Sequence, residues 1–77
     1  MHDTTRVLII EDEPSLVETL QYNLVREGYE VAAATDGYGG VATATNWQPD
    51  LVLLDVMLPG IDGLEVCRRI RRVSNVP

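Results

Sequence analysis

Two short apolar runs constrain the fold of this chain more than any other feature of its sequence. Residues 51–54 read LVLL and are followed by Asp55, and residues 6–11 read RVLIIE and are followed by Asp12. Runs of this length without a polar face are typical of strands buried on both sides, as in a parallel sheet covered by helices. The last residue of such a strand lies at the carboxyl edge of the sheet, where ligands of these folds bind. The sequence therefore predicts a sheet edge that carries acidic side chains.

The segment between the two runs predicts a helix and a further strand. In residues 15–27 the apolar side chains recur at helical spacing, Pro14 suits the first turn of a helix, and Gly28 provides the expected stop. Residues 29–35 (YEVAAAT) alternate in the manner of an edge strand. We therefore predict a first helix and a second strand here.

Glycines weaken the next helical pattern. Residues 36–48 contain Gly37, Gly39 and Gly40, and a glycine inside a helix costs about 1 kcal/mol relative to alanine. We predict a short, loosely formed helix here rather than a phosphate-binding loop, because a dinucleotide fingerprint would follow the first strand, where this chain has EDEP. Trp47 is predicted to pack this helix onto the sheet, with ligand stacking as the alternative.

A third helix is predicted after the second apolar run. Asp62 with Glu65 three positions later forms a capping box, which makes Asp62 the predicted N-cap. Val66, Ile70 and Val73 share one face of this helix. Four arginines crowd its carboxyl half, where they complement the helix dipole and are predicted to form a solvated face, with a docking surface as the alternative.

The predicted elements alternate as strand and helix three times. The connections between strands, 17 residues (12–28) and 15 residues (36–50), are long enough for helical crossovers, so we predict a parallel sheet. Right-handed crossovers with the edge-like strand second place the first strand in the middle. The prediction is an α/β fold with the strand order 2-1-3.

The predicted strand order brings three acids together. The ends of strands one and three become neighbours, roughly 4.8 Å apart, so that Glu11, Asp12 and Asp55 emerge at one edge. Three carboxylates so close repel one another, and a bound cation would compensate them. Oxygen ligands without His or Cys suit Mg²⁺ better than zinc, and a backbone carbonyl from residues 56–57 would complete the protein's share of the ligands. The alternatives are that Asp12 caps the first helix and that Asp55 is a solvated strand end.

Composition argues against several other classes of protein. The net charge of −6 and the pI near 4.4 disfavour nucleic acid as a partner of this segment. Cys67 is the only cysteine, which excludes an internal disulfide and a thiolate zinc site, and we predict it in the core. No apolar run approaches the roughly 18 residues of a membrane span, and MHDTT at the N-terminus lacks the regions of a signal peptide. We therefore expect a cytoplasmic chain of one domain at most, without a membrane partner.

Two motifs carry a resemblance to a known family. VLIIEDE at residues 7–13, followed by PDLVLLDVMLPGIDGLEVCRRIR at residues 49–71, closely resembles the receiver domain of bacterial two-component response regulators, particularly the OmpR/PhoB type. The resemblance covers essentially all of the chain from Arg6 onward. It implies a flavodoxin-like, doubly wound parallel sheet with the strand order 2-1-3-4-5, of which this chain contains the first three strand-helix units.

The resemblance also implies roles for the acids. Asp55 would be the phosphoacceptor, attacking a phosphohistidine on a sensor histidine kinase to form an aspartyl phosphate. Asp12, Asp55 and the backbone carbonyl of Met57 would bind Mg²⁺ directly, and Glu11 would assist through water. A carboxylate is a competent nucleophile for a phosphoryl group, and the metal neutralises charge on both reacting partners.

The chain departs from the family pattern at its carboxyl end. Receivers have five strands, and the sequence stops at residues 74–77 (SNVP), where the fourth would begin. The Ser or Thr that ends strand four and the Lys that ends strand five are therefore missing. Residues 1–77 are expected to be the N-terminal part of a receiver domain, in a parent that regulates transcription through a DNA-binding output domain. Strand three is expected to be an open edge, which favours a homodimer or a swapped association with another chain.

Two other classes of function compete with this interpretation. A haloacid-dehalogenase-like phosphatase also uses an aspartate after an apolar strand, but it carries a second aspartate two residues later, where this chain has Met57. The second competing class is an assembly module, in which an incomplete receiver only provides an interface. On the leading interpretation the chain is not an enzyme, because it would catalyse only its own phosphorylation and dephosphorylation.

Overall fold

Three strands alternate with three helices along the chain. The computed structural model describes residues 3–55, 58 and 60–77. The strands are β1 (Arg6–Ile10), β2 (Glu30–Ala34) and β3 (Leu51–Leu54), and the helices are α1 (Pro14–Arg26), α2 (Gly37–Trp47) and α3 (Gly63–Val73). Every predicted element is present. None of the three helices has the length and apolar character needed to cross a membrane, as far as the described residues go.

All three strands are parallel, and β1 lies in the middle, so the strand order is β2-β1-β3. Ile10, the last residue of β1, pairs with Ala34 on one side and with Leu54 on the other. The three strands therefore end level with one another. This confirms the predicted order and places the residues that follow β1 and β3 side by side at the carboxyl edge of the sheet.

Strand β1 forms the centre of the core. Its residues from Val7 to Ile10 are at most 1% exposed, as expected for a strand covered on both faces. Leu8 and Ile10 face α2 and α3 and join a cluster of buried side chains that also contains Ala44, Val66, Ile70 and Val76. Val7 and Ile9 point to the opposite face, because successive side chains of a strand alternate. Burial of an aliphatic side chain contributes about 1.5–3 kcal/mol, so β1 stabilises both layers.

The glycines of α2 allow it to approach its neighbours closely. A Cβ atom on Gly40 would lie 2.5 Å from Cδ1 of Ile10, and a Cβ atom on Gly37 would lie 2.5 Å from Cγ2 of Val66. Neither distance is compatible with a side chain, so these two positions require glycine for packing against β1 and α3. The helix runs over 11 residues, which confirms the prediction of a short helix here instead of a phosphate-binding loop.

Helix α1 covers only part of the other face of the sheet. It packs against β2, with Val17 as its buried residue. On the β3 side of α1, an open groove of about 200 Å³ has the apolar residues Ile9, Leu20 and Leu53 in its lining and reaches the acids Glu11 and Asp55 at one end. Leu16, one helical turn before Leu20, is 43% exposed. We refer to this apolar surface between α1 and β3 as the α1 groove.

Contacts of Arg6 hold together the amino end of the sheet. The backbone groups of Arg6 bond with Asp50, through Arg6 N–H to Oδ2 and Asp50 N–H to the Arg6 carbonyl, each at 2.8 Å. The Arg6 guanidinium lies 5.3 Å from the ring centroid of Trp47 and donates to the Trp47 carbonyl at 2.7 Å. Trp47 is half-buried against the core, which confirms its predicted role in packing α2 onto the sheet.

One prediction about α3 is wrong. Cys67 is exposed, although it was expected in the core. Val73, predicted to share a face with Val66 and Ile70, is 57% exposed. The buried face of α3 consists of Gly63, Val66 and Ile70, and Cys67 lies one position round the helix from Val66. Val73 is the last residue of the helix, where the chain turns away from this face.

The segment formed by residues 74–77 lies beside β3. Val52 N–H donates to the Pro77 carbonyl at 3.0 Å, and Val76 is buried in the core cluster. The expectation that β3 is an open edge is therefore wrong at Val52, where the C-terminal segment covers it.

Candidate functional site

The candidate site lies where β1 and β3 end. Glu11 and Asp12 follow Ile10, and Asp55 follows Leu54. Glu11 N–H donates to the Ala34 carbonyl, and Asp55 N–H donates to the Ile10 carbonyl, both at 3.0 Å. The backbone pairing of the sheet thus continues by one residue on each side of β1, and it fixes the backbone of the first acid after each strand.

Three carboxylates meet at this edge, as predicted. Glu11, Asp12 and Asp55 each contribute one carboxylate oxygen to a group of atoms that lie within 4.8 Å of one another. Their exposure differs in a graded way: Glu11 is 9% exposed, Asp55 is half-buried, and Asp12 is exposed to solvent. The acids therefore line a site that is anchored inside the protein and open on the side of Asp12.

Hydrogen bonds at the start of α1 give Glu13 a different role from that of Glu11 and Asp12. The Glu13 backbone N–H donates to Oε2 of Glu11 at 3.0 Å, which orients that carboxylate. The Glu13 side chain caps the helix by accepting from Ser15 N–H at 3.3 Å and from Ser15 Oγ at 2.8 Å. The capping role that was the alternative for Asp12 therefore belongs to Glu13.

The chemistry of the donors fits a hard divalent cation. All three groups offer carboxylate oxygens, and negative charges at this separation repel one another unless a cation lies between them. Mg²⁺ prefers oxygen ligands and is commonly bound by one or two carboxylates together with water. The carbonyl of Met57, predicted as a further ligand, lies outside the described residues. The three described acids alone already provide the type of ligand that Mg²⁺ requires.

Asp62 lies at the start of α3, the helix that follows the site along the chain. The Asp62 side chain accepts from Glu65 N–H at 2.9 Å and caps α3, which confirms the predicted N-cap. The Glu65 carboxylate accepts from Arg69 Nε and from Arg68 Nη1, each at 3.0 Å. These hydrogen bonds, with Arg69 as the larger contributor, lower the pKa of Glu65. Glu65 thus serves the arginines of α3 in addition to lying at the third position of the capping box.

Known proteins resemble this chain in sequence. The sequence pattern of the family described as "Response regulator receiver domain" matches residues 7–77. The chain is 49% identical over 67 residues to the alkaline phosphatase synthesis transcriptional regulatory protein PhoP of Bacillus subtilis, a match that covers 87% of this chain and 28% of PhoP. It is also 49% identical over 71 residues to the transcriptional regulatory protein AfsQ1 of Streptomyces coelicolor, covering 92% of this chain and 32% of AfsQ1.

Solved structures share the fold. The response regulator protein TrrA of Thermotoga maritima, solved in complex with Mg²⁺-BeF, superimposes with a TM-score of 0.85 at 40% identity, covering 90% of this chain and 60% of TrrA. The structure of TrrA with the histidine kinase ThkA superimposes with a TM-score of 0.87 at 38% identity, covering 95% of this chain and 64% of the matched chain. The chain thus spans about a third of the length of the curated relatives, and somewhat under two thirds of these solved chains.

Proposed function

The chain belongs to the response regulator receiver domain family, in agreement with its OmpR/PhoB-type motifs, and we propose that it accepts a phosphoryl group on Asp55 from a sensor histidine kinase. One observation carries the proposal. Acids from two different strands, Glu11 and Asp12 after β1 and Asp55 after β3, place carboxylate oxygens within 4.8 Å of one another. The structure of TrrA with the kinase ThkA supports a histidine kinase as the donor class.

Each acid has a separate role in this proposal. An oxygen of Asp55 attacks the phosphorus atom of the phosphohistidine, the new oxygen–phosphorus bond forms, and the phosphorus–nitrogen bond breaks with its electron pair going to the imidazole. Asp12, Asp55 and the Met57 carbonyl would hold Mg²⁺ directly, and Glu11 would assist through water. When bound, Mg²⁺ supplies positive charge that reduces repulsion between the anionic carboxylate and the anionic phosphoryl group. The complex of TrrA with Mg²⁺-BeF supports this choice of metal.

The activity proposed is regulatory rather than that of an enzyme with turnover. The chain would catalyse only its own phosphorylation and the later hydrolysis of the aspartyl phosphate. Residue 57 is a methionine, whereas a haloacid-dehalogenase-like phosphatase would carry an aspartate two residues after the nucleophile. The phosphatase alternative is therefore not adopted.

We further propose that residues 1–77 are the N-terminal part of a receiver domain in a cytoplasmic transcription regulator. The matches to PhoP and AfsQ1, both transcriptional regulatory proteins, cover 28% and 32% of their lengths, which supports a longer parent. Contact with DNA would be made by an output domain of that parent, since this segment carries a net charge of −6.

We also propose that two copies of the chain associate through the α1 groove. The α1 groove exposes apolar side chains of α1 and β3, and exposed apolar surfaces of this kind favour packing against another segment. This observation also supports the assembly-module alternative, in which the interface is the only function.

Phosphorylation by a small-molecule donor tests the main proposal. The protein at its natural length, incubated with acetyl phosphate and Mg²⁺, should gain the mass of one phosphoryl group, mapped by peptide mass spectrometry to Asp55. The Asp55→Asn variant should gain none. Asp50→Asn is the matched control, because Asp50 precedes β3 whereas Asp55 follows it, and it should be labelled like the wild type. Labelling of another residue, or none in a folded wild type, contradicts the role of Asp55.

A further inference from the structure

The first turn of α2 carries none of the three acids, but it contacts the end of β1 and the chain that follows Asp55. Gly40 lies against Ile10, the residue that precedes Glu11. Gly37 lies against Ile61, since a Cβ atom on Gly37 would be 2.6 Å from Cγ1 of that side chain. This turn therefore joins the end of β1 to the segment that follows Asp55.

Tyr38 extends this contact to the backbone at Gly60. A Cβ atom on Gly60 would lie 3.2 Å from Cε2 and 3.5 Å from Cδ2 of Tyr38, so the edge of the ring covers the Gly60 backbone. Gly60 has a φ of +83°, a conformation that glycine adopts freely and other residues avoid. Glycine can adopt more backbone conformations than any other residue. The Tyr38 ring therefore limits the conformational freedom of the backbone at Gly60, only five residues beyond Asp55.

Contacts from α3 hold the ring itself. The guanidinium carbon of Arg69 lies 5.5 Å from the centroid of the Tyr38 ring, within the range of a cation–π interaction. Arg69 Nε in turn donates to Glu65 at 3.0 Å, and Glu65 belongs to the first turn of α3. A continuous set of contacts thus runs from α3 through Arg69 and Tyr38 to Gly60.

From these contacts we propose that Tyr38 is a positioning residue for phosphoryl acceptance at Asp55. The inference rests on the function proposed above. Phosphoryl transfer depends on the position of the nucleophile and of the groups around it, and a displacement of about 1 Å can slow a reaction by roughly 100-fold. Tyr38 is not one of the reacting or metal-binding groups of the proposed site. It acts by restricting the backbone at Gly60, five residues beyond Asp55, whereas Glu11 and Asp55 are held by the backbone pairing of the sheet.

The test compares two tyrosines in the protein at its natural length. Tyr38 and Tyr22 are 56% and 64% exposed, and each lies 5.5 Å from an arginine guanidinium carbon, but Tyr22 is on α1. The rate of phosphorylation by acetyl phosphate at saturating Mg²⁺ should fall roughly tenfold in Tyr38→Ala, and stay within about twofold of wild type in Tyr22→Ala and in Tyr38→Phe. Mg²⁺ affinity, measured by isothermal titration calorimetry, should be the same as that of the wild type in Tyr22→Ala and in Tyr38→Phe.

The outcomes separate the inference from the function on which it rests. A wild-type protein that gains no phosphoryl group rejects both. A labelled wild type with Tyr38→Ala as fast as Tyr22→Ala, or with Tyr38→Phe as slow as Tyr38→Ala, rejects the positioning role alone. If Tyr38→Ala does not fold, Tyr38→Leu, which keeps apolar bulk without the aromatic face, should show the same slower rate.

Discussion

Asp12 differs from the other two acids in its surroundings. It is exposed, whereas Glu11 is buried and accepts a hydrogen bond from Glu13 N–H, and the helix cap is provided by Glu13. An exposed carboxylate keeps its hydration until a cation approaches, and it can exchange water for metal without a change in the packing. In the proposed site, Asp12 is therefore a direct ligand that can be replaced with little change in the packing of the protein.

Replacing Asp12 by Asn should weaken Mg²⁺ binding by roughly tenfold or more, since even the loss of a partner outside the ligand shell commonly has an effect of that size. The reason is the loss of one negative charge, because the neutral amide oxygen that remains is a weaker ligand for a divalent cation. Isothermal titration calorimetry of wild type and Asp12→Asn measures the difference.

Glu13→Gln is the matched control for this change. It alters the adjacent acid, leaves the Glu13 backbone N–H that bonds to Glu11, and should keep the wild-type Mg²⁺ affinity. Because it weakens the α1 cap, it should lower the free energy of unfolding by up to about 1 kcal/mol, as measured by urea titration. An Asp12→Asn protein with unchanged Mg²⁺ affinity would remove Asp12 from the metal site.

Sequence patterns identify the acids but not all of their neighbours. Glu11, Asp12 and Asp55 are predictable because each follows an apolar run, and the strand order brings the runs together. The choice of Glu13 as the cap is not predictable from EDEP, because three acids precede the helix and the choice depends on how the chain turns after β1. The contact of Tyr38 with Gly60 has no local signal either, since it joins residues far apart in sequence.

Helix α2 shows how packing can outweigh helix propensity. Its glycines predict a loosely formed helix, yet two of them face fully buried side chains at distances that leave no room for a methyl group. The intrinsic preference of alanine over glycine, about 1 kcal/mol per position, is smaller than the cost of displacing a packed core. A close approach of this kind depends on tertiary structure, and the sequence of the helix alone gives no evidence of it.

Substituting Gly40 by Ala should therefore destabilise the protein, by about 1–3 kcal/mol, instead of stabilising it. The added methyl group would lie within 3.0 Å of three atoms of Ile10, which is fully buried and has no space to move. Urea denaturation followed by circular dichroism measures the change.

The adjacent Gly39 provides the control for this prediction. A Cβ atom there would meet Oδ1 of Asp36 at 3.3 Å and Cβ of Ala34 at 3.7 Å, both milder contacts. Gly39→Ala should therefore be clearly more stable than Gly40→Ala. Equal stability of the two variants, or a gain in Gly40→Ala, would show that α2 does not need glycine for its approach to β1.

For the molecule as a whole, the two faces of the sheet are covered unequally. The face with α2 and α3 encloses the core cluster, whereas the other face has α1 alone and the open α1 groove. The strand order was predictable from the lengths of the connections and the right-handed crossover rule. The position of residues 74–77 beside β3 was not, because a single backbone hydrogen bond and one buried valine decide it.

Association through the α1 groove should appear as an increase in mass with concentration. Multi-angle light scattering after size-exclusion chromatography of the 77-residue chain should give a mass above that of a monomer at high concentration. Leu16→Gln, one helical turn before the groove residue Leu20, should reduce the association because it places a polar group in the apolar contact.

Leu64→Gln is the control for the association. Leu64 is 64% exposed on α3, on the opposite face of the sheet, compared with 43% for Leu16. The Leu64→Gln variant should associate like the wild type. A wild-type chain that remains monomeric at every concentration, or one that responds equally to both substitutions, would contradict an interface at the groove.

The contacts of Trp47 have a practical consequence for spectroscopy. The chain has one tryptophan, and its indole lies under Arg6, at the start of β1, whereas the acids follow the end of that strand, roughly 16 Å away at the usual rise per residue. Intrinsic fluorescence will therefore report the melting of the sheet while remaining insensitive to events at the carboxylates. Optical studies of ion uptake will need a dye or a second indole introduced near Asp12.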